Sequence, residues 1–312
     1  MPFLNSLGVC LEDGFMYAIL AMGFYLSYSI LDFPDLTVEG SVLAGGTVFA
    51  ALVRAGVNPW LAMVVAFLAG CACGSVTGLL HVKLKIRPLL CGILVSTGLI
   101  SVNLVSAVLT MGGNLKGEDA LTTVPVGRGV DTLLNTVPGK WILGTVGGFN
   151  LRKVLVFLAV AVLFKVLLDL FLKTKAGLLL RAAGSNAQYV TMLAQNPGNS
   201  KILGLALGNG YAAVCGALIA QSRGNVNQGM GIGMVVIGLA SLIIGLSVFK
   251  NVRFLRPTTM VICGSVIYQA CLTLATALGV PSAYNKLIMA VLFTVALVIS
   301  GRLAPKGGND RA

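Results

Sequence analysis

The chain has ten acidic residues and one histidine among 312, little material for chemistry on a substrate. General acid–base catalysis needs carboxylates held together in a water-excluded site. Here the acidic residues read as loop-bound, apart from Asp169. His81 has no second histidine with which to share a metal. Cys71 and Cys73 are two apart and would point to nearly opposite sides of a helix, so the seven cysteines read as small apolar filler rather than a metal cage or a disulfide set. No P-loop, H-E-x-x-H or G-x-S-x-G pattern occurs. An enzyme is therefore unsupported, and no cofactor is expected.

The polar residues that remain suggest passage rather than reaction. Segment 31–41 puts Asp32, Asp35 and Glu39, with Thr37 and Ser41, between two apolar stretches. Segment 221–233 is rich in glycine and amides and includes Asn225 and Asn227. Interrupted membrane helices expose backbone ends that can line a transport pathway, which makes Thr37, Glu39, Ser41, Asn225 and Asn227 pathway candidates. The competing reading is a pair of ordinary loops with helix-capping side chains. Asn103 and Asn209 fall inside apolar spans, where they either line the pathway or hydrogen-bond a neighbouring helix.

These residues need a membrane scaffold. Of the chain, 57% is apolar and 10% charged, with a mean hydropathy of +0.93; a soluble surface needs about a quarter charged residues. Nine apolar stretches of spanning character cover 14–31, 37–53, 60–80, 88–110, 151–172, 202–221, 232–249, 257–278 and 285–300. The fold class expected is all-α, a single membrane-spanning bundle over 1–312 with about nine spans and broken helices. The net charge of +12 sits in short loops at the ends of spans, a topology signal that argues against nucleic acid. Thirteen basic residues fall in one set of loops (Lys83, Lys85, Arg87; Lys173, Lys175, Arg181, Lys201; Lys250, Arg253, Arg256; Arg302, Lys306, Arg311), and eight in the other (Arg54, Lys116, Arg128, Lys140, Arg152, Lys153, Arg223, Lys286). The first set is then cytoplasmic, the N-terminus outside and the C-terminus inside. The first twenty residues lack a basic start and carry Glu12 and Asp13, unlike a cleaved leader. Lys165 stands four before Asp169, at helical pairing distance, as an intramembrane ion pair or a pair at the cytoplasmic interface.

Two loops are long. The outer one, 111–150, contains a short helix candidate at 130–137 and Trp141, an interface anchor candidate. The inner one, 173–201, reads KTKAGLLLRAAGSNAQYVTMLAQNPGNSK. Ser185 and Gln188 fit a capping box, and Pro197 predicts a stop near Gln195. That helix is too short to span. Its Val190, Leu193 and Ala194 form a small apolar face for a groove on another protein or for the headgroups. Gly70, Gly74 and Gly78, and Gly204, Gly208, Ala212, Gly216 and Ala220, recur every four residues, which predicts close helix packing.

Three stretches carry a family resemblance: GFMYAILAMGFYLSYSIL at 14–31 with DLTVEGS at 35–41, GLLLRAAGSNA at 177–187, and GMGIGMVVIGLA at 229–240. Together they resemble ATP-binding-cassette importer permeases of the branched-chain amino acid, ribose and nucleoside type, closest to those paired with lipoprotein binding proteins for aromatic amino acids such as tryptophan or tyrosine. The resemblance implies a type II-like importer permease in the bacterial plasma (inner) membrane, surrounded by lipid. It implies a second permease subunit in a homodimer, a cytoplasmic ATPase and an extracytoplasmic substrate-binding protein. The ATPase would be met by Arg181, Gly184, Ser185, Asn186, Gln188 and Leu193 in loop 173–201. The other reading is a self-sufficient secondary transporter or channel. The orientation has a direct check: a cysteine introduced at Gln188 is expected to resist a membrane-impermeant maleimide on intact cells and to react after permeabilisation.

Overall fold

The computed structural model describes residues 2–112, 123–126, 133, 151–250, 252, 254–281 and 284–303. The helix expected at 130–137 (except Leu133), Trp141, Lys116, Arg128, Lys140, Arg253, Lys306 and Arg311 lie outside the described residues. The described helices are α1 (Pro2–Phe24, continued by a π-helical turn, Tyr25–Ile30), α2 (Thr37–Arg54), α3 (Pro59–Leu84), α4 (Pro88–Thr110), α5 (Leu151–Phe171), α6 (Lys175–Ser185), α7 (Ala187–Met192), α8 (Pro197–Arg223), α9 (Met234–Val248), α10 (Pro257–Ala277) and α11 (Asn285–Leu303). A two-stranded antiparallel ribbon pairs β1 (Thr123–Pro125) with β2 (Asn225–Asn227), Val124 opposite Val226.

A helix stands at each of the nine expected spans, and seven are long and apolar enough to cross a membrane. Of the other two, α2 carries Glu39, Ser41 and Thr47 and is almost wholly enclosed by its neighbours, so it needs no lipid-compatible surface. In α11, the apolar stretch is Leu287–Val298. The first helix starts well before residue 14, with Glu12 and Asp13 inside it.

Proline sets several helix starts. Pro59, Pro88, Pro197 and Pro257 occupy the first turn of their helices, where the missing N–H costs nothing. Asn58 and Asn196 cap two of them, accepting from Trp60 N and Gly198 N. Pro197 thus begins α8 instead of ending the preceding helix, and α8 starts before residue 202. Pro34 acts differently. It disfavours helical backbone at Phe33, and α1 loosens before it: Leu31 N donates to Leu26 O, a π-type bond, and Asp32 takes φ 52°.

Helix α8 is the axis of the bundle, its central residues buried from Gly208 to Gln221. Gly70, Gly74 and Gly78 of α3 lie directly on the α8 backbone at Asn209, Leu205 and Ile202. On other sides of α8, Gly208 meets Gly23 of α1 and Gly216 meets the Val42 carbonyl of α2. Both small-residue ladders are packing seams, as expected where lipid removes the hydrophobic incentive for helix association. Tyr211 of α8 donates to the Phe164 carbonyl of α5 at 2.9 Å and meets its ring edge-on.

The Lys165–Asp169 pair forms at 3.2 Å. It sits at the interface end of α5, where Arg256 joins it at 3.2 Å and Thr258 Oγ1 donates to Asp169 at 2.7 Å. The pair therefore pins the end of α5 to the start of α10. Gly198 beside Val82 brings the start of α8 to the end of α3, so the basic loops gather at one end of the bundle. At the other end, Arg54 donates to the Pro125 carbonyl and Gln221 Oε1 accepts from Leu133 N.

Seam packing makes a prediction. Gly216→Leu drives a side chain into the α2 backbone and is expected to cost about 3 kcal/mol or more, whereas Gly98→Leu, with open space around it, stays within about 0.5 kcal/mol. Thermal unfolding of the purified protein in detergent distinguishes the two.

Candidate translocation pathway and coupling surface

The break between α1 and α2 returns the chain into the bundle, and Asp35 is buried there, 2% exposed. A buried carboxylate is costly unless it is paired or hydrogen-bonded. Two donors meet it. Its Oδ1 accepts from Thr37 N at 2.9 Å, at the start of α2, where the helix dipole also favours negative charge. Its Oδ2 accepts from Asn209 Nδ2 of α8 at 2.6 Å. Asn209 spends its remaining capacity nearby: Nδ2 also donates to Leu205 O at 2.9 Å, and Oδ1 accepts from Ser41 Oγ at 2.7 Å. Both amide hydrogens and the amide oxygen are thus engaged. One helical turn away, Thr37 Oγ1 and Thr77 Oγ1 of α3 share a hydrogen bond of 2.7 Å.

Further along α2 the second interrupted segment arrives. Glu39 Oε1 accepts from Gly233 N at 2.9 Å, and Gly231 presses against the Glu39 carbonyl. Only glycine permits that approach, because a Cβ would overlap the carbonyl. Asn103 of α4 donates to Gly40 O at 3.3 Å. Thr37, Glu39, Ser41, Asn103 and Asn209 therefore surround the first half of α2. Asn225 and Asn227 stand apart, in β2 at the outer rim, where Asn227 accepts from Gly229 N and donates to Thr123 Oγ1.

Asp35 and Thr77 are the parts of this network that the sequence does not single out, since Asp35 reads there as loop-bound. The signal available was the spacing: an Asp two before a helix-starting Thr is a capping pattern. Thr77 lies within the glycine seam of α3.

At the basic end, loop 173–201 is largely helical. Thr174 caps α6, and Gly177, Leu180 and Ala183 form its buried side. The capping box expected at Ser185 and Gln188 does not form. Ser185 Oγ instead donates back to Ala182 O, and Asn186 caps α7, its Oδ1 accepting from Gln188 N (3.0 Å) and Tyr189 N (3.2 Å). Asn186 wins because its extended backbone aims the amide oxygen at the first free N–H groups. The knob is also shorter than expected: α7 has six residues and ends before Ala194, which turns left-handed (φ 54°). Its faces differ from the expectation. Val190 is buried, while Tyr189, Met192 and Leu193 are exposed. Arg181 and Gln188 are also exposed. Gly184 packs against the Ile30 carbonyl, at the end of the π-helical turn of α1.

A buried polar network thus ties the start of α2 to α3, α4 and α8, and an exposed helical knob stands at the basic end. The family model for the branched-chain amino acid transport system permease component matches residues 9–297. The chain belongs to that family. It is 38% identical to a tyrosine transport system permease protein of Clostridioides difficile (strain R20291), over 94% of this chain and 90% of the relative. It is 29% identical to an uncharacterized protein of Rickettsia prowazekii (strain Madrid E), over 94% and 97%. The autoinducer 2 import system permease protein of Salmonella typhimurium (strain LT2) is 27% identical over 59% and 54%. No solved structure gives a significant match.

The protein is thus a multi-pass membrane permease of an ATP-binding-cassette importer, in which ATP hydrolysis and substrate capture belong to other subunits. Membership in this family displaces the self-sufficient transporter or channel. The network around Asn209 makes a prediction. Asn209→Leu removes one of the two donors of Asp35 and the acceptor of Ser41 and is expected to destabilise the permease by about 1–3 kcal/mol or more. Asn103→Leu removes one weaker bond and is expected to cost less. Detergent unfolding midpoints check the order.

Proposed function

We propose that this permease carries an amino acid, aromatic ones such as tyrosine foremost, across a bacterial inner membrane as one half of a homodimer. The cargo is suggested by the tyrosine transport permease, which shares 38% identity over nearly the whole chain. The exposed apolar residues of α4, among them Leu90, Ile93 and Leu94, are suited to lipid and to the second permease subunit. The cytoplasmic ATPase meets α7. Tyr189, Met192 and Leu193, with Arg181 and Gln188 beside them, offer an apolar knob in a polar rim, the anatomy of a docking anchor. Ser185 and Asn186 hold the knob's shape.

The observation that carries the reading is the contact between α6, the helix leading into this knob, and the break. Gly184 rests on the Ile30 carbonyl, one residue before the chain leaves α1. A π-helical turn is a frequent site of functional distortion, and the buried Asp35 lies five residues beyond Ile30. Movement of α7 imposed by the ATPase therefore passes through Gly184 of α6 to the π-helical turn of α1. From there Asp35, Asn209 and Ser41 link the displacement to α8 and α2. Thr37, Glu39, Ser41, Asn103 and Asn209 line the route taken by the cargo. Asn225 and Asn227, at the outer rim, face the binding protein that delivers it.

Two experiments test this reading. Met192→Glu and Leu193→Glu alter only exposed positions, so the permease is expected to fold normally but to lose co-purification with its ATPase, and uptake with it. Gly184→Leu is expected to retain the ATPase yet reduce radiolabelled tyrosine uptake at least tenfold, by wedging the knob from α1. Full uptake in all three variants would refute the coupling route.

A further inference from the structure

A cavity of about 410 Å³ opens at the end of the bundle opposite α7, between α1, α8, α9, α10 and α11. That volume falls within the range of small-molecule sites. Its walls divide by chemistry. Ile237 and Leu272 supply buried apolar surface, while Asp13, Tyr17, Arg223 and Gln269 supply polar groups.

These polar groups do not satisfy one another. Arg223 donates from Nη2 to Tyr17 Oη at 3.2 Å, which leaves the phenol its own proton to donate. Asp13 and Arg223 line the same cavity, yet they form no ion pair within 4.0 Å. Gln269 is 5% exposed, and its side chain lines the cavity with no hydrogen-bond partner among the described residues. A basic residue at the end of a helix is favoured by the helix dipole, which accounts for Arg223 at the end of α8. It does not account for a carboxylate and an unpartnered, buried amide in the same cavity.

The ligand chemistry follows from this set. An anion would satisfy Arg223 and be repelled by Asp13, and a cation would do the reverse. A neutral apolar molecule would leave both charges and the amide unpaired, at a cost. A zwitterion answers both charges at once. We propose that this cavity is a second, outward-facing binding site for an amino acid, its ammonium at Asp13, its carboxylate at Arg223 and Tyr17, and its side chain against Ile237 and Leu272. The site is separate from the Asp35–Asn209 network, and it rests on the amino-acid reading above for the choice of probes alone.

The test uses membrane vesicles holding the full chain with its ATPase and no binding protein, titrated with radiolabelled L-tyrosine, L-tryptophan and L-leucine. Saturable binding of at least one is expected. The corresponding amine without the carboxylate, and the acid without the ammonium, are expected to compete at least tenfold more weakly than the unlabelled amino acid. Asp13→Asn and Arg223→Gln are each expected to weaken binding about tenfold or more. Arg223 is exposed at a helix end, so its substitution leaves folding intact, as gel filtration in detergent verifies. Absence of saturable binding, equal competition by either truncated analogue, or binding insensitive to either variant overturns the proposal. Adding the binding protein and ATP to the same vesicles separates the two readings. ATP-driven uptake without direct binding defeats the cavity site alone, and uptake that needs no ATPase defeats the importer reading alone.

Discussion

A single side chain, Asn209, lets a carboxylate sit inside this bundle. Asp35 has no cationic partner among the described residues, so its burial is supported by hydrogen bonds and by the positive end of α2. The amide of Asn209 supplies the stronger contact and simultaneously holds Ser41 and its own helix backbone. Three pieces of chain are therefore fixed relative to one another at one point: the break after α1, the start of α2 and the middle of α8. The glycine seams support this geometry, since the backbones of α2, α3 and α8 must approach closely for such short side chains to meet.

The same constraint explains how a permease can be both tightly packed and movable. Its helices interlock through backbone contacts that tolerate little compression. The α-helical hydrogen-bond pattern is interrupted where α1 turns π-helical and ends ahead of Pro34. That place lies beside the knob formed by α6 and α7 and beside the buried network.

The two ends of the molecule are chemically different. One collects the basic loops, the exposed knob and the Lys165–Asp169–Arg256 cluster. The other carries the small β-ribbon, the amide-rich segment and a mixed polar cavity. A partner that reads charge and an apolar knob suits the first end. A partner or cargo that reads hydrogen bonds suits the second.

Much of this was legible in the sequence because the bilayer imposes it. Apolar runs long enough to cross and glycines every four residues are constraints on composition and period, and each produced the helix or seam it predicted. The two interruptions were visible too, since proline, glycine and polar side chains stand out against an apolar background. Pairing was not legible. Asp35 looked like a loop residue because its partner Asn209 lies 174 positions away, and only the fold brings them together. The capping of α7 turned on the backbone angles of Asn186 rather than on the Ser185 pattern, and Pro197 proved to open a helix instead of closing one. Local chemistry determined which segments enter the membrane and where they break. Tertiary structure decided which polar groups meet, because in a bundle of long helices the partners are set by close approach between distant segments and not by neighbours along the chain.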